Sequence, residues 1–252
     1  MNYLIGDIGN TSLKICKINN KFRIVKTFLF RTNSVYLEKD LKKKINQLAK
    51  NNICNKILFS SVVPHIYRKI DKIFRKKNFK IFEIKKFDLN KLLKFRVKRY
   101  SQLGSDRIAN AIGAYYKFKT NCIVIDFGTA TTFDIIKKPG MYDGGVITPG
   151  IALSIENLFS STALLPTFKL KKYPTNYGKN TKEALNSGFF WGYQGLINNI
   201  IKKITKKNNK NFKIILTGGY SNLFKNKIFK QAIIEKDITI QGILKVYRKF
   251  LI

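Results

Sequence analysis

The stretch Ile125-Asp126-Phe127-Gly128-Thr129-Ala130-Thr131-Thr132-Phe133-Asp134 decides the fold. It follows the apolar run Cys122-Ile123-Val124-Ile125 and leads into Phe133-Asp134-Ile135-Ile136. Two short apolar runs around a glycine turn read as strand, turn, strand. The same pattern opens the chain, where Tyr3-Leu4-Ile5-Gly6 leads into Asp7-Ile8-Gly9-Asn10-Thr11-Ser12-Leu13-Lys14-Ile15. The offset is 126 − 7 = 119 residues, about half of the 252. That period is too long for a solenoid repeat. It points to two similar α/β domains, each offering one hairpin turn to a shared cleft.

The chemistry of such a turn follows from its residue types. Glycine lets backbone approach an anion, and successive N–H groups can cradle a phosphate. Hydroxyls add donors. An aspartate repels a bare phosphate, so Asp7 and Asp126 make sense with a cation between carboxylate and phosphate. One Asp-x-Gly turn is an ordinary hairpin turn. Two of them with hydroxyl-rich tails argue for a metal-assisted nucleotide site.

A chain of 252 residues accommodates two domains of roughly 100–130 residues, and we expect them over 1–100 and 101–252. Hydrophobic residues make up 44%, enough for real cores. Cys16, Cys54 and Cys122 lack metal-ligand spacing and sit in or beside apolar segments, as small buried residues of a reducing compartment do. No signal segment opens the chain, and no run reaches the roughly 18 apolar residues of a membrane span. The expected location is cytoplasmic. The net charge of +35 suggests nucleic acid at first. Yet the lysine clusters at 42–44, 75–77, 169–172 and 202–210 are dispersed, mostly over helix ends and loops. Lys, Asn and Ile are abundant together, as AT-rich coding would give. No dedicated nucleic-acid partner is expected.

In chain order, 3–9, 13–18 and 22–30 read as a three-strand meander, and 36–51 as a helix carrying Leu37, Leu41, Ile45 and Leu48 on one face. A strand over 57–63 precedes a helix from Pro64 to about Lys77, and a strand over 79–84 follows. Residues 86–100 read as connecting chain. The single histidine, His65, has no Cys, Asp or Glu cluster near it and reads as a surface or capping residue. Beyond the second hairpin come a strand at 142–150, a helix at about 151–161, and a helix from Asn180 to about Lys207. A strand at 212–217 ends in Gly218-Gly219, and a last helix covers 238–250. Asn180-Thr181-Lys182-Glu183 has the form of a capping box, and Thr181 is either part of the cap or free to meet a ligand. Gly188, Gly192 and Gly195 form a stripe that permits close packing against another helix or a subunit.

Between the repeats lies Tyr100-Ser101-Gln102-Leu103-Gly104-Ser105-Asp106-Arg107. Ser105 reads as a helix N-cap with Asp106 in the first turn, where the helix dipole keeps the carboxylate ionised. This is either a good helix start or a base beside the phosphate site. As a base, Asp106 would accept the proton of a hydroxyl attacking the γ-phosphate, a task within reach of a weak base because the transition state is loose. Arg107 either pairs with an anionic substrate group or snorkels.

Taken together, these stretches resemble the type III pantothenate kinases of the acetate/sugar kinase–Hsp70–actin superfamily. The resemblance rests on Asp7-Ile-Gly-Asn-Thr, Gly104-Ser-Asp-Arg107, Asp126-Phe-Gly-Thr-Ala-Thr-Thr-Phe-Asp134, Gly144-Gly-Val-Ile-Thr-Pro-Gly150, Asn180-Thr181 with Ser187-Gly188, and Leu216-Thr-Gly-Gly219, in family order over nearly the whole chain. It implies two ribonuclease-H-like (actin-type ATPase) domains around a central cleft. The implied reaction is ATP-dependent phosphorylation of pantothenate to 4′-phosphopantothenate, the first step of coenzyme A synthesis. It further implies that Asp7, Ile8, Gly9, Asn10, Thr11, Ser12, Leu13, Lys14 and Thr129 bind ATP, and that Asp106 is the proton acceptor. Tyr100, Gly104, Ser105, Asp106, Arg107 and Thr181 would bind pantothenate. Asp126 would hold potassium or ammonium, Asp7 would hold magnesium with ATP, and the protein would be a homodimer. The alternatives are a related kinase for another hydroxyl, and a basic nucleic-acid-binding protein.

Overall fold

The computed structural model describes the chain except residues 35, 36, 50–52, 171, 172, 229 and 230, and except the side chains of 45–49. The expected helix 36–51 therefore has its ends, and the side chains of Ile45 and Leu48, outside the described residues. So do Lys171 and Lys172 of the 169–172 lysine cluster.

The chain forms two compact units. The first comprises Met1–Lys117, Gly140–Tyr142 and Asp237–Ile252, and the second Phe118–Pro139 and Asp143–Lys236. A sequential division at residue 100 does not coincide with these units, because two later segments return to the first.

In the first unit, β1 (Asn2–Ile8), β2 (Ser12–Ile18) and β3 (Ile24–Arg31) form the meander. Then follow α1 (Leu37–Ala49), β4 (Ile53–Ser61), α2 (Pro64–Arg75) and β5 (Lys80–Glu83). The strand order is β3-β2-β1-β4-β5. The β1–β2 and β2–β3 pairs are antiparallel, β1–β4 and β4–β5 parallel. Alternation along the strands explains both faces. Leu4, Ile8, Leu13, Ile15, Ile57 and Phe59 pack with Ile66, Ile70, Ile73 and Phe74 of α2 and with Leu37 and Leu41 of α1. Each such side chain removed from water contributes roughly 1.5–3 kcal/mol. Successive residues point to opposite faces, so Ile5 and Asp7 in β1, with Lys14 and Cys16 in β2, share the other face. Residues 84–103 form three short 3-10 turns and β6 (Lys94–Phe95), which pairs with Met141 and Tyr142. Then come α3 (Ser105–Phe118) and, from the C-terminus, α7 (Ile238–Phe250), which packs along β1 and β4. The Tyr247 hydroxyl donates to the Lys56 carbonyl at 2.9 Å.

The second unit repeats the plan. Its elements are β7 (Cys122–Phe127), β8 (Ala130–Lys137), β9 (Met141–Pro149, whose first two residues belong to the first unit), α4 (Ile151–Ser160), α5 (Thr181–Asn208), β10 (Lys213–Gly218), the single turn α6 (Ser221–Phe224) and β11 (Ala232–Ile234). The order β11-β10-β7-β8-β9 is that of the first sheet read from the other edge, and β7 again pairs antiparallel with β8 and parallel with β10. The α5 residues Phe190, Tyr193, Ile197, Ile201 and Ile204 cover Ile123, Ile125, Phe127, Ile214 and Leu216. Among the described residues no helix is long and apolar enough to cross a membrane.

Candidate active site

In the first unit, Gly9-Asn10-Thr11-Ser12 closes the β1–β2 hairpin. The Gly9 N–H donates to the Ser12 carbonyl at 2.9 Å. Thr32 braces the turn from β3's end: its hydroxyl donates to the Gly9 carbonyl at 2.8 Å and its N–H to the Thr11 carbonyl at 3.0 Å. Asn10, Thr11 and Ser12 are exposed, while Ile8 and Leu13 are fully buried. Anything Ile8 and Leu13 offer a ligand therefore comes from their backbone. Asp7 stands opposite Lys14 on β2 and Ser60 on β4. Lys14 Nζ lies 3.0 Å from Asp237 at the start of α7. The turn thus presents a carboxylate, an ammonium and exposed hydroxyls at one sheet end.

The Tyr100–Arg107 segment also belongs to the first unit. Ser105 is the first residue of α3 rather than its N-cap: the Gly104 carbonyl accepts the Ile108 N–H at 3.1 Å. Nor does the Ser105 hydroxyl cap the helix. It donates to Glu83 Oε1 at 2.6 Å and is buried. Capping falls to Asp106 instead, whose Oδ1 accepts the Arg107 N–H at 2.7 Å. Burial pushes the Asp106 carboxyl above the ordinary aspartate range, outweighing the Arg107 N–H and guanidinium that pull it down. This desolvation is a contribution that the helix dipole alone does not include. A carboxylate so raised is a stronger base once ionised. The Tyr100 hydroxyl is buried without a hydrogen-bond partner among the described residues, and burial pushes its pKa up to about 12.

In the second unit the β7–β8 turn is backed by two glycine-bearing segments. The Gly150 N–H donates to the Thr129 carbonyl at 3.0 Å, and the Gly219 N–H to the Phe127 carbonyl at 3.1 Å. Gly218, at φ +84°, leaves no room for a Cβ against Asp126 Oδ1, which would sit 2.7 Å away. Asp126 is half-buried and Thr129 exposed. A carboxylate beside a glycine turn is an oxygen donor of the kind that suits a hard, weakly charged cation. Among the described residues no three His, Cys, Asp or Glu side chains gather as a metal site. A divalent ion at Asp7 would thus need phosphate and water oxygens to fill its shell.

At the α5 start, Asn180 is the cap, accepting the Glu183 N–H at 3.0 Å, and Glu183 reaches back to the Lys179 N–H at 2.9 Å. Thr181 is exposed in the first turn, so the cap does not consume it. A groove lined by Phe168, Tyr173, Tyr177, Lys182 and Ser187 lies beside it. His65 is exposed, as expected, and Cys54 is only half-buried, unlike Cys16 and Cys122. Glu83 and Lys85, which hold the Tyr100–Ser105 segment, carried no sequence signal, since a Glu-x-Lys at a strand end is commonplace.

Comparison with known proteins supplies the family. The family model described as "Type III pantothenate kinase" matches residues 3–203. A type III pantothenate kinase of Pelagibacter ubique (strain HTCC1062) is 47% identical over 243 residues, covering 96% of this chain and 97% of that one. One from Sulfurihydrogenibium sp. (strain YO3AOP1) is 37% identical over 94% and 96%. The activator of 2-hydroxyisocaproyl-CoA dehydratase from Clostridium difficile, with bound ADPNP, superposes with a TM-score of 0.58 at 12% identity, over 99% of this chain and 95% of that one. That likeness speaks for the actin-like ATPase fold alone. With the family model spanning most of its length and these relatives matched nearly end to end, the chain belongs to the type III pantothenate kinase family.

Proposed function

We propose that the chain transfers the γ-phosphoryl group of ATP to the 4′-hydroxyl of pantothenate, opening coenzyme A synthesis in the cytoplasm, with Asp106 as proton acceptor. The observation that carries the base assignment is the Asp106 carboxylate itself. It is half-buried, raised by burial, and held at Oδ1 by the Arg107 N–H. In a loose phosphoryl transfer the proton leaves late, so a carboxylate of this kind is sufficient.

We assign the other roles on the same basis. The exposed turn Gly9–Ser12, with Asp7, the backbone of Ile8 and Leu13, and Lys14, takes the ATP phosphates, and Thr129 contributes a hydroxyl. Tyr100, Gly104, Ser105 and Arg107 form the pantothenate segment, Ser105 through its backbone, and Thr181 adds a hydroxyl. When bound, magnesium at Asp7 would neutralise phosphate charge, and potassium or ammonium at Asp126 would fix the turn that carries Thr129. We also propose a homodimer. Gly188, Gly192 and Gly195 each have open space where a Cβ would stand, and Trp191 is 40% exposed among them. Such a stripe is suited to a second copy.

The test is ATP consumption by the purified protein with magnesium and pantothenate, in potassium and then in sodium. Turnover that requires pantothenate and rises with potassium supports the substrate and the Asp126 role. Asp106→Asn is expected to lower kcat by about 10²-fold or more. Near-normal turnover in a folded Asp106→Asn protein sinks the base assignment. A folded wild type inert toward pantothenate would shift the reading to another hydroxyl substrate.

A further inference from the structure

The geometry points to Glu83 and Lys85 as positioning residues that clamp the Tyr100–Asp106 segment to the central sheet of the first unit. The inference rests on the reading of that segment as the pantothenate site.

Glu83 ends β5 and uses both carboxylate oxygens. Oε1 accepts the Ser105 hydroxyl at 2.6 Å, and Oε2 accepts the Lys85 N–H at 2.7 Å. The second bond sets the chain direction at Lys85. Lys85 Nζ then donates to the Ser101 carbonyl at 2.8 Å and to the Leu103 carbonyl at 3.0 Å. The same ammonium stands 5.9 Å from the centre of the Tyr100 ring. Three alternate residues, Ser101, Leu103 and Ser105, are therefore tied to two neighbours on one strand end.

Besides these ties, the Tyr100 ring packs edge-on against Phe95 with ring centres 5.0 Å apart, and Leu103 is buried. The segment's internal bonds are those of one 3-10 turn, Gln102 N–H to the Arg99 carbonyl and Leu103 N–H to the Tyr100 carbonyl. Such a turn is a weak element by itself. The clamp gives it the rigidity of β5, which pairs with β4 in register Phe59↔Glu83, and β4 pairs with β1, which carries Asp7. Base and phosphate turn are thereby referred to one sheet. Effective catalysis needs that, since misplacement by about 1 Å costs on the order of 10²-fold in rate.

The clamp side chains do not touch the proposed reacting groups, so their signature is selective. Lys85→Met keeps the aliphatic stem and removes the donors. We expect it to raise the pantothenate KM by about tenfold or more, the effect of losing two hydrogen bonds from a charged donor, while the ATP KM stays within about twofold and the protein melts as a folded domain. Lys85→Arg, which can still donate, should recover part of the loss. Glu83→Gln and Ser105→Ala share one bond, so their effects on pantothenate kcat/KM should be non-additive, the double variant being no worse than the worse single one. Should Lys85→Met fail to fold, that cycle alone decides. A folded Lys85→Met protein with unchanged pantothenate KM, equal rises in both KM values, or full additivity in the cycle overturns the clamp. Those results in an enzyme whose wild type turns over pantothenate and whose Asp106→Asn variant does not would remove the clamp and leave the substrate reading intact. A wild type without pantothenate turnover removes both.

Discussion

At Gly104 there is no space for a methyl group. A Cβ built there would lie 2.5 Å from Asp106 Oδ1, well inside contact distance. Only glycine lets the carboxylate turn back onto the Arg107 N–H. Gly104→Ala is therefore expected to push the carboxylate aside, lowering kcat by about 10²-fold with little loss of folding stability. Steady-state kinetics beside a thermal melt check this, and an unaltered kcat would show that Asp106 has freedom the geometry denies it. Asp106 also carries a stability signature. Its folded pKa is raised above the unfolded value, so the folded chain binds the proton more tightly, and stability falls as pH rises through the interval between the two. Asp106→Asn removes that penalty, so the variant should melt above the wild type at pH 7. The gap should shrink as pH falls toward the unfolded aspartate value of about 3.9. An Asn variant that melts lower at pH 7 would overturn the burial argument. The position of Asp106 was legible in the sequence, but the direction of its pKa shift was not. A helix start can be read from four residues, whereas desolvation depends on what the rest of the chain lays over them. Ser105 misled for a related reason. Its cap signal is local, and the half-buried carboxylate that captures its hydroxyl lies 22 positions earlier.

Among the elements, the crossing of α3 and α7 is the tightest point of the first unit. A Cβ on Gly242 would stand 1.9 Å from the Ala109 carbonyl oxygen, and one on Gly113 would stand 2.2 Å from the Ile238 carbonyl oxygen. The Thr239 hydroxyl adds a bond to Asn110 Oδ1 at 2.6 Å. The helix that carries Asp106 is thus seated backbone to backbone on the helix whose start holds Lys14. Gly242→Ala must spread the pair and is expected to destabilise the protein by about 1–3 kcal/mol, read as a lower urea midpoint at unchanged slope. A midpoint within error of wild type would mean that the crossing is looser than its distances. Long periodic elements were legible. The helix at 238–250 and the first three strands fall within two residues of their expected bounds. The two-residue β6 and three-residue β11 were not, because a strand that short shows no period. The pairing of β6 with Met141 and Tyr142 is a long-range event without local cause.

At the scale of the whole molecule, the repeated Asp-x-Gly hairpin was the most informative feature, because five strands of each sheet built around it follow one order, β6 being added at the edge of the second. What the repeat could not reveal is that the chain returns, Gly140–Tyr142 and Asp237–Ile252 packing with the first unit. The charge of +35 is the remaining property at this scale. Of the lysine-rich clusters, 42–44 lies on α1, 75–77 includes Arg75 at the end of α2, and 202–210 runs past the end of α5. In each of these clusters most of the basic side chains are exposed to solvent on their own helix or just beyond its end. Such a distribution gives a general attraction for polyanions and no register along a nucleic acid. Retention of duplex DNA is therefore expected at low salt and independent of its sequence. It should be weaker than about 1 µM at physiological salt and fall steeply as salt rises. Asp106→Asn should leave it unchanged while lowering turnover by about 10²-fold or more. A mobility shift that persists near about 200 mM salt, or that prefers one sequence, would contradict this and demand a nucleic-acid function for the lysines.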